Sequence, residues 1–68
     1  MKLQEFIELC GDEDIFLHIY DDESGDLIDK TWKSGFELIL MKYDLLREVQ
    51  SYYHTKEGNN LVMEIYVK

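Results

Sequence analysis

At 68 residues the chain has room for a single domain, 1–68, and a chain of that size takes only about 60% of its unfolded surface out of water. Hydrophobic residues at 46% exclude the disordered class, and a formal net charge of -8 excludes the basic footprint of a direct nucleic-acid binder. The lone Cys10 excludes an internal disulfide and points to a reducing, cytoplasmic compartment, while apolar runs as short as Leu38–Met41 fall far below the roughly 20 residues of a membrane span.

Leu3, Phe6, Ile7 and Cys10 recur at helical spacing, which predicts a helix over 2–10 with Gly11 as its left-handed terminator. Two turns of helix do not persist alone, so the apolar stripe must dock on something. Residues 15–20, IFLHIY, alternate as a strand with Ile15, Leu17 and Ile19 on one face and Phe16, His18 and Tyr20 on the other. The stretch YDDESGDL at 20–27 then reads as a turn into a second strand, LIDKTWK at 27–33.

Phe36, Ile39, Leu40, Tyr43, Leu46 and Gln50 share a helical face, which allows one helix from 36 to about 53; the preferred reading is a helix from 36 to about 46 followed by a strand. The β-rich VQSYYH at 49–54 predicts a strand within 47–54, followed by a turn at 55–60. The last run, 61–67, is the clearest strand, with Leu61, Met63, Ile65 and Val67 opposite Val62, Glu64 and Tyr66. The expected fold is α+β: a mostly antiparallel four-stranded sheet with a short N-terminal helix and a second helix between two hairpins, αββαββ. Strands apolar on both sides exceed what two short helices cover, so self-association through a sheet face or edge is expected.

Charge is segregated. Asp12, Glu13, Asp14, Asp21, Asp22, Glu23, Asp26 and Asp29 fall in a segment, 12–29, that holds no Lys or Arg, and the remaining acids balance the bases. An EF-hand with its glycine at Gly25 would need ligands from Tyr20 and Thr31, which cannot serve; a looser Mg²⁺ or Ca²⁺ site from Asp21, Asp22, Glu23 and Asp26 stands beside the preferred reading of an exposed turn, and no metal or cofactor is assigned. Asp26, Asp29 and Lys30 have a loose spacing that permits a metal-dependent nickase or nuclease, without a base placed to complete it. His18, His54 and Cys10 lack zinc-site spacing, and Cys10 on the apolar stripe reads as a small buried hydrophobe. Trp32, Tyr52, Tyr53 and Tyr66 could stack single-stranded bases, but no basic groove accompanies them, which favours core or interface. No Ser-His-Asp, phosphate-loop or dinucleotide fingerprint occurs.

Carboxylates on a hairpin can occupy a basic channel built for a polyanion, releasing the same counterions as a nucleic acid. The candidate partner-binding residues are therefore Asp21, Asp22, Glu23, Asp26 and Asp29, and the partner is a basic protein surface. The order MKLQEFIEL, FLHIYD, acidic glycine turn, second strand, REVQSYYH and LVMEIYV resembles short uncharacterised proteins of Gram-positive bacteria and their phages. Some proteins of that kind inhibit CRISPR effectors, including ones similar in fold to single-strand-binding transcriptional coactivators. Charge segregation and the absence of catalytic motifs point to a non-enzymatic, self-associating interaction protein; what the resemblance implies is an anti-CRISPR-like inhibitor of a nucleic-acid-handling enzyme, and it carries no functional residue with it. The other readings are the metal-dependent enzyme and a structural subunit of an oligomer.

Overall fold

The computed structural model describes residues 1–11 and 14–68. Asp12 and Glu13, counted in the acidic segment, lie outside the described residues. The elements are α1 (Leu3–Leu9), β1 (Phe16–Asp21), β2 (Leu27–Trp32), a 3-10 turn (Lys33–Gly35), α2 (Phe36–Ile39), α3 (Lys42–Leu45), β3 (Val49–Glu57) and β4 (Asn60–Val67).

α1 forms because Leu3 and Ile7 drop fully into the core, with Phe6 and Cys10 packed against it. The Lys2 N–H donates to Glu5 Oε1 at 3.0 Å, which satisfies one of the free donors at the helix start. The helix does not end on a left-handed glycine as the sequence suggests. Cys10 is already extended at φ -66°, ψ 120°, and among the described residues only Gly25 and Gly58 have positive φ.

The four strands form one sheet in the order β2-β1-β4-β3. Its two hairpins, β1–β2 and β3–β4, are antiparallel as expected, but β1 and β4 pair in parallel at the centre, Phe16 with Val62 through Asp21 with Val67. The sheet is thus mixed rather than an antiparallel αββαββ arrangement. The reason is the link from 33 to 48, which carries the chain back to the end of the sheet where β2 began. β3 must then run alongside β2 in direction, and its hairpin partner β4 alongside β1. The most apolar strands, β1 and β4, take the centre, where both faces can be covered.

The link also departs from expectation, being two single turns of α-helix rather than one helix. Leu40 and Met41 are extended between them, at φ -81°, ψ 137° and φ -72°, ψ 148°. The break re-phases the chain. Phe36, Leu40 and Leu45 face the core, whereas Ile39, Tyr43 and Leu46, assigned by periodicity to the buried face, are exposed. A straight helix would have turned Leu45 outward. The third strand runs to Glu57, so the turn is only Gly58-Asn59, with Gly58 at φ 64° as the first central position of a type II′ turn requires.

Leu17 and Ile19 of β1 and Met63, Ile65 and Val67 of β4 form the floor of the core, and α1 and the link cover it. Among the described residues, no helix lies on the opposite face of the sheet. There an aromatic belt crosses all four strands: Trp32 stacks on Phe16 at 4.8 Å, Tyr20 on Tyr66 at 5.0 Å, and Tyr53 meets Tyr66 edge-on at 5.9 Å. The inward and outward sets of β1 and β4 are those the alternation predicts except at the start of β4, where Leu61 is exposed and Val62, on the other face, is buried.

Candidate functional site

The acidic turn joins β1 to β2. Asp21 organises it: one carboxylate oxygen, Oδ1, accepts the N–H groups of Glu23 and Ser24, each at 2.9 Å. The Gly25 N–H donates to the Asp21 carbonyl at 2.8 Å with Gly25 at φ 77°, and the Asp26 N–H donates to Ser24 Oγ at 3.2 Å. Glycine is required here because this φ is strained for any side chain. The Asp22 N–H, donating to the Val67 carbonyl at 2.8 Å, anchors the turn to β4.

The other oxygen of Asp21, Oδ2, accepts from Nη2 of Arg47, the chain's only arginine. The same guanidinium donates through Nε to the Lys68 carbonyl at 2.7 Å and through Nη1 to Asp44 Oδ1 at 3.3 Å. Arg47 therefore ties the acidic turn, α3 and the end of β4 together. The Ser24 N–H, the Arg47 guanidinium and the Glu23 N–H hold the Asp21 carboxyl down at about 2. Asp21 in turn raises Arg47 above its already high value.

A carboxyl with a folded value near 2, against about 3.9 unfolded, contributes stability that is complete above the unfolded value and is lost as pH falls through the folded one. Urea titrations between pH 5 and 2 are expected to show stability falling with acid, with a shallower fall for Asp21→Asn. An identical slope in the variant would remove Asp21 from the acid response.

The five candidate residues do not form one cluster. Asp21 is bound internally. Asp22, Glu23 and Asp26 are exposed, with no ion pair to them among the described residues. Asp29 is half-buried on β2, opposite Ile19, and its Oδ1 accepts the Lys30 N–H at 2.8 Å. Asp21, Asp22 and Glu23 share a groove with Tyr43, Arg47 and Lys68, which Asp26 and Asp29 do not line. Tyr43 is 75% exposed there. Sequence reasoning missed Tyr43, because its helical spacing assigned it to the core, and missed the role of Arg47; being the lone fork-shaped donor of an acidic chain was its only signal.

Comparison with protein-family models, with curated proteins and with solved structures finds no match to this chain. Function must be reasoned from the residues. Among the described residues, no three of His, Cys, Asp or Glu converge as a metal site, and no helix is long and apolar enough to cross a membrane.

The other polar groups singled out in the sequence are dispersed. His18 is buried in the aromatic belt, with Glu57 Oε2 at 3.6 Å from its Nε2, while His54 is exposed on β3. Cys10 is half-buried rather than fully buried, and its Sγ donates to the Phe6 carbonyl at 3.5 Å. Burial pushes its thiol up, against a smaller opposing pull from Lys33, so it stays protonated and weakly nucleophilic.

Proposed function

We propose that this chain is a non-enzymatic interaction protein that presents its acidic turn to a basic protein surface. The observation that carries the reading is the division of labour in the turn. Asp21 is consumed in shaping it and in holding Arg47, so Asp22, Glu23 and Asp26 project with no ion pair to them among the described residues, from a backbone fixed by six hydrogen bonds. Carboxylates held in place before binding lose less entropy on association than those on a loose loop. Tyr43, beside Asp22 and Glu23, adds the aromatic anchor around which binding energy concentrates in protein interfaces.

The chemistry that recognises such a surface is a cluster of Lys and Arg built for phosphates. This makes the reading an inhibitor of a nucleic-acid-handling enzyme, acting in the cytoplasm in the manner of the phage proteins the chain resembles. Asp29 contributes only at the margin, through the local field.

Affinity capture from host cells, followed by titration of the captured partner with the purified chain, tests it. Binding should weaken steeply with added salt. The variant Asp22→Asn, Glu23→Gln, Asp26→Asn should bind at least about tenfold more weakly, a change of about 1.4 kcal/mol, with an unchanged thermal midpoint. Unaltered affinity in that variant would overturn the acidic-turn reading.

A further inference from the structure

β3 presents the longer of the two strand edges that the sheet order leaves open. The segment at Met1–Leu3 covers only its start: the Val49 N–H donates to the Met1 carbonyl at 2.9 Å, the Leu3 N–H to the Arg47 carbonyl at 2.8 Å, and Lys2 bridges Glu48. From Gln50 to Glu57 the outer side of β3 has no strand beside it among the described residues. The devices that usually protect an edge are sparse: there is no proline, the bulge is confined to Val49–Ser51, and Lys56 is the only charge before Glu57.

The backbone parity is defined. Glu57 and Asn60 close a two-residue turn, so Glu57, Thr55 and Tyr53 direct their backbone groups toward β4, and Lys56, His54 and Tyr52 direct theirs outward, up to the bulge at Gln50. A second copy turned about a two-fold axis through Tyr53 meets this row in antiparallel register. Tyr52 then lies opposite His54 of the second copy, Gln50 opposite Lys56, Ser51 opposite Thr55, and Tyr53 opposite itself. Aromatic pairs and hydroxyl pairs of this kind are favourable neighbours across strands.

Electrostatics selects this edge over the other. No carboxylate occurs from Val49 to Lys56, whereas β2 adjoins the acidic turn and carries Asp29. Two copies joined antiparallel along β2 would set their Asp29 carboxylates and acidic turns within about one strand length of each other; joined along β3 they lie farther apart. Two surfaces also continue across the junction. Tyr53 extends the aromatic belt into the second copy, and an apolar groove lined by Met1, Phe6, Leu9, Cys10, Gln50 and Tyr52 opens beside the positions that His54 and Lys56 of the second copy would take.

We propose that two copies of this chain join edge to edge along β3, antiparallel and centred on Tyr53, to form one eight-stranded sheet. The surface lies on the edge opposite the acidic turn, so it stands or falls separately from the function proposed above.

Sedimentation and light scattering of the full chain over a concentration series test it. The expected mass is twice the 8.2 kDa of one chain. Tyr53 is exposed, so Tyr53→Lys and Tyr53→Glu should each leave the fold intact, as checked by circular dichroism. Each should also set like charges against each other on the axis and weaken association at least about tenfold. Mixing the two variants in equal amounts should restore the dimer. If either variant fails to fold, Tyr53→Cys in a Cys10→Ser background should cross-link into a dimer under mild oxidant. A wild-type chain that stays monomeric to millimolar concentration, variants that dimerise as tightly as wild type, a mixture no tighter than its components, or no cross-link would each overturn the proposal.

Discussion

Ile65→Ala is expected to cost about 3–4 kcal/mol, the range found when a buried isoleucine is cut back in a core that relaxes only partly. Ile65 is fully buried on a central strand, opposite Ile19 on one side and Tyr52 on the other, with α1 and the link above it. A domain of 68 residues has a total stability of roughly 3–10 kcal/mol. The variant should therefore be largely unfolded in modest urea, while Ile65→Val should lose only about 1 kcal/mol. Urea midpoints at 25 °C measure both. A loss below about 1 kcal/mol for the alanine variant would mean that Ile65 is not at the centre of the core.

Arg47→Met is expected to be the most damaging polar change, at about 2 kcal/mol, because hydrogen bonds to charged groups contribute more than neutral ones and three end at this guanidinium. Its side chain is only 16% exposed, so water does not fully replace the lost partners. Arg47→Lys keeps the charge but not the planar fork, and should recover less than half of the loss. In the methionine variant the acid response of Asp21 should move up toward the ordinary range without reaching it, since the N–H groups of Ser24 and Glu23 still hold the carboxylate. Urea titrations of Arg47→Met, Asp21→Asn and the double variant supply the comparison. Additive losses from the two single changes would show that the pair is not coupled.

The strands were legible because alternation is a local signal. Ile15, Leu17 and Ile19 against Phe16, His18 and Tyr20, and Met63, Ile65 and Val67 against Val62, Glu64 and Tyr66, need no knowledge of neighbours to be sorted. Gly25 was legible for the same reason, as one glycine in a tight acidic turn. What was not legible depends on tertiary fit. Periodicity over 36–46 supports one helix, and only the need to place Leu40 and Leu45 together in the core explains the break after Ile39. The parallel pairing of β1 with β4 follows from where the link returns the chain, which no local pattern states. In the acidic turn, charge marked the segment as a candidate, but composition cannot tell that Asp21 shapes the loop and pairs with Arg47 while Asp22, Glu23 and Asp26 are exposed.

The central pairing of β1 with β4 also governs the order in which the domain can assemble. Each hairpin closes over a few residues, but the two strands that make the floor of the core are separated by most of the chain, so their contact carries a large loop-closure cost. During synthesis the first hairpin must wait, the inner edge of β1 unpaired, until residues 60–67 arrive to pair with it. The interval before that docking is when this chain is most open to wrong pairings.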